Sequence, residues 1–211
     1  MSLRPTLKKQ TGFTLVEIAI VLVIVGLLLG AVLKGQELIF NSKVKSTFTM
    51  SKEIAAATYS YQDRYQKVPG DDNGVVARFP TATPVPINGS GNGYIDWGPF
   101  PCAANSGGEN CQTFYHLRLA GFISGNGAES PLTPFGGRVA MGAGQVFYPG
   151  GSGAPTFGLE GTGLNHKIMS MMDNNFDDGN PTTGSIRCRN LAAYNMSTPE
   201  SILPDWCSIP L

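Results

Sequence analysis

A single carboxylate, Glu17, interrupts an otherwise aliphatic run from Phe13 to Leu33. An ionised carboxylate inside a hydrocarbon layer costs on the order of 2.5 to 3.5 kcal/mol on insertion scales, so this one needs a partner. A free amine is the chemistry best placed to supply it. Cleavage of the chain after Gly12 would create an ammonium on Phe13, and a second copy displaced along the helix axis could set that cation beside Glu17. Glu17 is therefore a candidate pairing residue for such an amine.

The rest of the chain offers little for catalysis. His116 and His166 are isolated in sequence, no nucleophile motif is present, and the Gly-rich stretch from Gly137 to Gly153 lacks the Lys and the strand-to-helix setting of a phosphate loop. The expectation is that the protein is not an enzyme. One segment has the spacing of a calcium loop: Asn88, Ser90, Asn92 and Asp96 stand at its first, third, fifth and ninth positions, with Gly93 sixth. Its twelfth position is Pro99 where a bidentate Glu belongs, so a Gly/Asn turn is the favoured reading, and no cofactor is expected beyond that one weak calcium candidate. Asp173 to Gly179 is richer in carboxylates but also lacks the closing Glu, and reads as a helix end followed by a turn.

Four cysteines, Cys102, Cys111, Cys188 and Cys207, allow three pairings. Pairing Cys102 with Cys111 and Cys188 with Cys207 is favoured, because each bond closes a local Gly-, Pro- or Asn-rich loop. Zinc-type Cys-x-x-Cys spacing is absent.

The elements that must position these residues follow from composition. Residues 1–12 carry three cations and no acid, forming a basic leader that keeps the amino end cytoplasmic and sends the remainder across the membrane. Residues 13–33 would span about 31 Å as a helix, enough for a bilayer core. No A-x-A-like site follows that run, which argues against an ordinary secretory signal, and a plain single-span anchor leaves Glu17 unexplained. Residues 34–67 contain no Pro and one Gly, so the helix continues as a stem to Val68-Pro69-Gly70, giving about 54 residues and near 80 Å. Phe40, Val44, Phe48, Ile54, Ala55, Tyr59, Tyr61 and Tyr65 form its apolar stripe, expected to pack against the chain's own sheet.

The head, 68–211, holds 23 of 27 glycines and 14 of 15 prolines, which favours turns and short strands. Strands are expected at 138–148, 185–192 and 94–97, and helices at 114–120 and 166–172. Without the leader the side-chain charge is about minus three, and no direct nucleic-acid binding is expected.

Lys8-Lys9-Gln10-Thr11-Gly12-Phe13-Thr14-Leu15-Val16-Glu17 resembles the cleavage signature of type IV prepilins and type II secretion pseudopilins. Residues 65–72, 114–121 and 173–187 strengthen that resemblance. It implies an α+β, type IV pilin-like fold: a long N-terminal helix packed on a small antiparallel sheet, with a loop-rich, disulfide-stapled head. It also implies cleavage between Gly12 and Phe13 and N-methylation by prepilin peptidase, insertion in the bacterial inner membrane with the head in the periplasm, and polymerisation with like subunits and other pilins on an inner-membrane assembly platform. Glu17 would set axial register. The family often carries a proline in the stem, and none lies between Gly12 and Pro69; Gly26 and Gly30 are the small pair that would allow close helix approach there. The expected function is a pilus subunit supporting adhesion, motility or DNA uptake. The alternatives are a periplasmic secretion pseudopilin and a monomeric membrane-anchored binding module.

Overall fold

The computed structural model describes residues 12–143, 155–160, 164–189, 191–198 and 206–210. Helix α1 runs unbroken over Leu15–Tyr65, as expected of a stretch without proline. It stops where Gln66 adopts a left-handed φ of 54°, with the Gln66 amide bonded to Gln62 O at 2.8 Å and its side-chain Nε2 donating to Asp63 O at 2.9 Å. Those bonds satisfy carbonyls that a helix end leaves open, and Pro69 prevents the helix from resuming.

The chain divides into two compact units, one up to Ser42 and one from Lys43 onward. In the first, the apolar side chains stand in the open, with Leu15 at 90% and Leu33 at 67% exposure. In the second, one face of α1 is buried through Val44, Ile54, Ala55, Ala57 and Tyr61, interleaved with Thr47, Ser51 and Thr58. Thr47 Oγ1 donates to Lys43 O at 2.9 Å and Ser51 Oγ to Phe48 O at 2.7 Å. By bonding back onto their own helix, these hydroxyls enter a core without an unsatisfied donor. Tyr59 departs from the expected stripe: it is 53% exposed because, at 100° per residue, it lies roughly 110° from the centre of the buried arc.

Among the described residues three further helices follow: α2 at Val75–Arg78, α3 at Glu109–Leu119 and α4 at His166–Phe176. The α4 start is fixed by Asn165, whose side chain accepts from Ile168 N at 2.9 Å. Helices α3 and α4 are longer than the expected 114–120 and 166–172. Helix α1 meets α3 through Ala57, Tyr61 and Leu117, and meets α4 where the Phe48 and Phe176 rings stack with centroids 4.1 Å apart.

The sheet has four strands, β1 at Arg138–Ala143, β2 at Pro155–Glu160, β3 at Arg187–Cys188 and β4 at Cys207–Pro210, paired antiparallel in the order β1-β2-β4-β3. Opposed residues Val139 and Leu159, then Met141, Phe157 and Ile209, build one apolar face, and all five are buried. Helix α3 packs against β1. The architecture is α+β, consistent with a pilin-like fold.

Several strand expectations shift. The first strand ends at Ala143, and 144–148 lie outside the described residues; 185–192 shrinks to Arg187–Cys188, with 190 outside the description. Tyr94 to Trp97 is not a strand. Ala143 N donates to Ile95 O at 3.2 Å, but the chain just before it is bent around the Asp71 carboxylate. Strands β2 and β4 were not anticipated, since Pro155, Gly158 and Pro210 disguise their pattern. The disulfides join Cys102 to Cys111 and Cys188 to Cys207, the second lying directly across the β3–β4 pair.

Candidate functional site

At the amino end, residues 12–14 lie outside α1, and Phe13 is 84% exposed. Thr14 and Glu17 form a reciprocal cap. Thr14 N and Thr14 Oγ1 each donate to Glu17 Oε2 at 2.8 Å, while Glu17 N donates to Thr14 Oγ1 at 3.3 Å. This box starts the helix at Leu15, leaves the Gly12–Phe13 peptide outside it, and folds the Glu17 carboxylate back toward the helix start. The carboxylate therefore has internal donors in the single subunit. Helix α1 carries one segment long and apolar enough to cross a membrane by length and composition.

Where α1 ends, Gly70, Asp71 and Asp72 tie the stem to the head. Gly70 takes φ 95° and sits so close to α3 that an added Cβ would lie 2.4 Å from Thr113 Oγ1. The Asp71 carboxylate accepts from the backbone amides of Gly91 at 2.6 Å, Asn92 at 3.0 Å and Gly93 at 2.7 Å, and from the Ser90 hydroxyl at 3.0 Å. Successive amides converging on one anion form a nest, and here the anion is part of the protein. Asp72 is buried and accepts from Tyr61 Oη at 2.6 Å, Gly74 N at 2.8 Å and the Arg78 guanidinium. Burial pushes the Asp72 carboxyl up, but Tyr61, Gly74 and Arg78 together hold it below the usual carboxylate range. Burial, then the Asp72 contact, pushes the Tyr61 hydroxyl up.

His116 completes this node. Its Nδ1 accepts from Gly70 N at 2.9 Å, which leaves the ring proton on Nε2 to donate to Ile87 O at 3.2 Å. Both nitrogens are engaged in the neutral form, so the imidazole is a strut between the stem exit and the 87-to-96 loop rather than a base. Burial lowers its pKa to about 4, against 6.5 for a free histidine. Because the folded value lies below the unfolded one, the unfolded chain takes up this proton first. The contribution is intact above pH 6.5 and is lost as pH falls toward 4, about 3 kcal/mol in all. Urea midpoints measured between pH 7 and pH 4.5 should fall accordingly, and His116→Gln should remove most of that slope. Asp173, whose carboxyl is raised by burial, acts in the opposite direction in both proteins, so the difference between them reports His116.

The calcium-loop residues engage their side chains within the protein. Asn88 Oδ1 accepts from Val76 N at 3.0 Å, Asn92 Oδ1 from Tyr94 N at 2.8 Å, Ser90 Oγ donates to Asp71, and Asp96 Oδ2 accepts from Asn92 Nδ2 at 3.0 Å. The loop turns its amides, not its oxygens, inward. Among the described residues, Asp173, Asp177 and Asp178 bring carboxylate oxygens within 4.8 Å of one another. Each of them closes a turn: Asp173 binds Gly179 N and Tyr194 Oη, Asp177 binds the amides of Ser185 and Ile186, and Asp178 binds Asn180 N and Thr183 Oγ1. His166 is separate, accepting at Nδ1 from Asn195 N at 3.1 Å. The node of Tyr61, Asp71, Asp72, Arg78 and His116 was not singled out from sequence. The available signal was the pair of acids directly after the Pro69-Gly70 break.

A long amino-terminal helix, a small four-stranded antiparallel sheet and two disulfides are consistent with a pilin-like fold. Residues 7–33 match the prokaryotic N-terminal methylation motif, the signature of type IV pilins and pseudopilins. No curated protein and no solved structure matches the chain. The motif implies processing by prepilin peptidase and assembly with pilins, and the apolar helix suggests membrane anchoring.

Proposed function

We propose that the protein is a structural subunit of a type IV pilus-like filament, cleaved after Gly12 and polymerised through residues 13–33, with Glu17 of one subunit paired to the Phe13 amine of another. The observation that carries this is the methylation motif placed at the start of an apolar helix that the chain itself leaves uncovered. Such a surface is stable only in lipid or against copies of itself, and removal of a basic leader on the cytoplasmic side provides the step between the two. The exposed Gly12–Phe13 peptide and the Thr14–Glu17 cap support the reading, since the scissile bond is outside the helix and the carboxylate is directed toward the new terminus. The head then sets the filament surface, and with it adhesion, motility or DNA uptake.

The test is the amino-terminal residue and mass of the protein from the cell envelope and from sheared surface material. The expected result is a chain beginning at N-methylated Phe13 in the sheared fraction. A processed chain confined to the periplasm would assign the filament to a secretion pseudopilus, and an intact Met1 start confined to membranes would overturn the filament reading.

A further inference from the structure

A glycine directly after an asparagine leaves one backbone reaction sterically open. The glycine nitrogen, once deprotonated, attacks the asparagine Cγ; ammonia leaves, and water opens the resulting succinimide to aspartate or isoaspartate. The sequence has four such pairs, Asn73-Gly74, Asn88-Gly89, Asn92-Gly93 and Asn126-Gly127. All four asparagines are exposed, so access to solvent does not choose among them.

The attacking atom is the glycine amide, and the stem-exit node engages it in three of the pairs. Gly74 N donates to Asp72 Oδ1 at 2.8 Å, Gly89 N to Asp72 O at 3.0 Å and Gly93 N to Asp71 Oδ2 at 2.7 Å. Each proton is held by an acceptor. At Gly74 and Gly93 that acceptor is an anion, which disfavours the second negative charge that deprotonation would create. Two of the asparagine side chains are held as well, Asn88 by Val76 N and Asn92 by Tyr94 N and the Asp96 carboxylate.

Asn126-Gly127 is the opposite case. Among the described residues the Gly127 amide has no acceptor and the Asn126 side chain makes no hydrogen bond. The carbonyl of the same peptide bond accepts from Arg118 Nη1 at 3.2 Å. A deprotonated amide carries much of its charge on oxygen, so a guanidinium on that oxygen stabilises the attacking anion. Arg118 is fixed in place: Nη1 also donates to Gly127 O and Glu129 O at 2.7 Å each, and Nε to Ser124 O at 3.1 Å.

We propose that Asn126 is a site of spontaneous modification, converting to aspartate and isoaspartate with uptake of water and loss of ammonia, while Asp71 and Asp72 protect the other Asn-Gly pairs. The product sets a carboxylate beside Arg118. Its isoaspartate form also lengthens the backbone at Gly127, where an added Cβ would already lie 2.4 Å from Ala104 O. The change accumulates with the age of the chain and loosens this loop from the segment closed by the Cys102–Cys111 disulfide.

The test holds the detergent-solubilised full chain in mildly alkaline buffer, with and without guanidinium chloride, and follows the Asn-Gly peptides by mass and by isoaspartyl methyltransferase labelling. In denaturant all the pairs should convert at similar rates. In the folded chain Asn126 should convert several-fold faster than Asn73, Asn88 or Asn92. Earlier conversion of any of those three in the folded chain, or an Asn126 that stays amidated over the time in which every pair converts in denaturant, overturns the assignment. Asp71→Ala should raise conversion at Asn92 several-fold by freeing the Gly93 amide. A folded Asp71→Ala chain with unchanged conversion at Asn92 overturns the protecting role, and the wild-type comparison decides the Asn126 site whether or not that variant folds.

Discussion

Glu17→Ala should leave membrane insertion intact while reducing sheared filaments about tenfold or more, the loss expected when each added subunit forfeits at least ~1.4 kcal/mol. The competing effects can be ranked. Removing the carboxylate gives up a helix cap worth about 0.5 to 2 kcal/mol, but it also removes a desolvation cost of about 2.5 to 3.5 kcal/mol in the hydrocarbon layer. Insertion should therefore be unharmed or improved, and any filament defect must arise after it. Glu17→Gln keeps the shape and a hydrogen-bonding end but not the charge. Its yield separates the cap, which also involves Thr14, from the proposed pairing with an ammonium. Wild-type filament yield from Glu17→Ala would sink the register assignment.

The second large effect lies at the stem exit. Asp72→Ala should destabilise the head by about 3 to 5 kcal/mol, because it leaves the Tyr61 hydroxyl, the Gly74 amide and the Arg78 guanidinium facing a site from which their shared acceptor is gone. The Arg78 side chain retains 28% exposure and can turn partly to water, which places the expected cost toward the lower end. Asp72→Asn should cost less, as it keeps an acceptor for one of these donors. Urea unfolding of the detergent-solubilised chain, followed by tryptophan fluorescence, measures both. A change under about 1 kcal/mol for Asp72→Ala would show that the node does not tie the stem to the head.

Particular residues show why the amino-terminal half was legible and much of the head was not. Leader, apolar run and Glu17 are contiguous, and a membrane helix satisfies its own backbone, so composition and spacing within one window suffice to place it. The lower stem was read less completely. Thr47, Ser51 and Thr58 belong to the buried face although they are polar, since bonding back to the preceding turn hides the hydroxyls of Thr47 and Ser51. The calcium-like spacing of Asn88 to Asp96 has a related origin. A Gly/Asn-rich loop that wraps a carboxylate uses the same residue types as one that wraps a cation, and the two differ in whether amides or oxygens face inward.

The sequence by itself determined the methylation motif, the long uninterrupted helix, its apolar amino-terminal part and the loop-rich character of the remainder. All of these depend on neighbours within a turn or two of one another. Only the tertiary structure decided the strand order, the assignment of β2 and β4, and the node at the stem exit. The strands β2 and β4 pair across some fifty residues, as Phe157 with Ile209, and Gly70 meets His116 across 46. Such partners are chosen by packing and by the need to satisfy buried donors and acceptors, and no local periodicity records that choice.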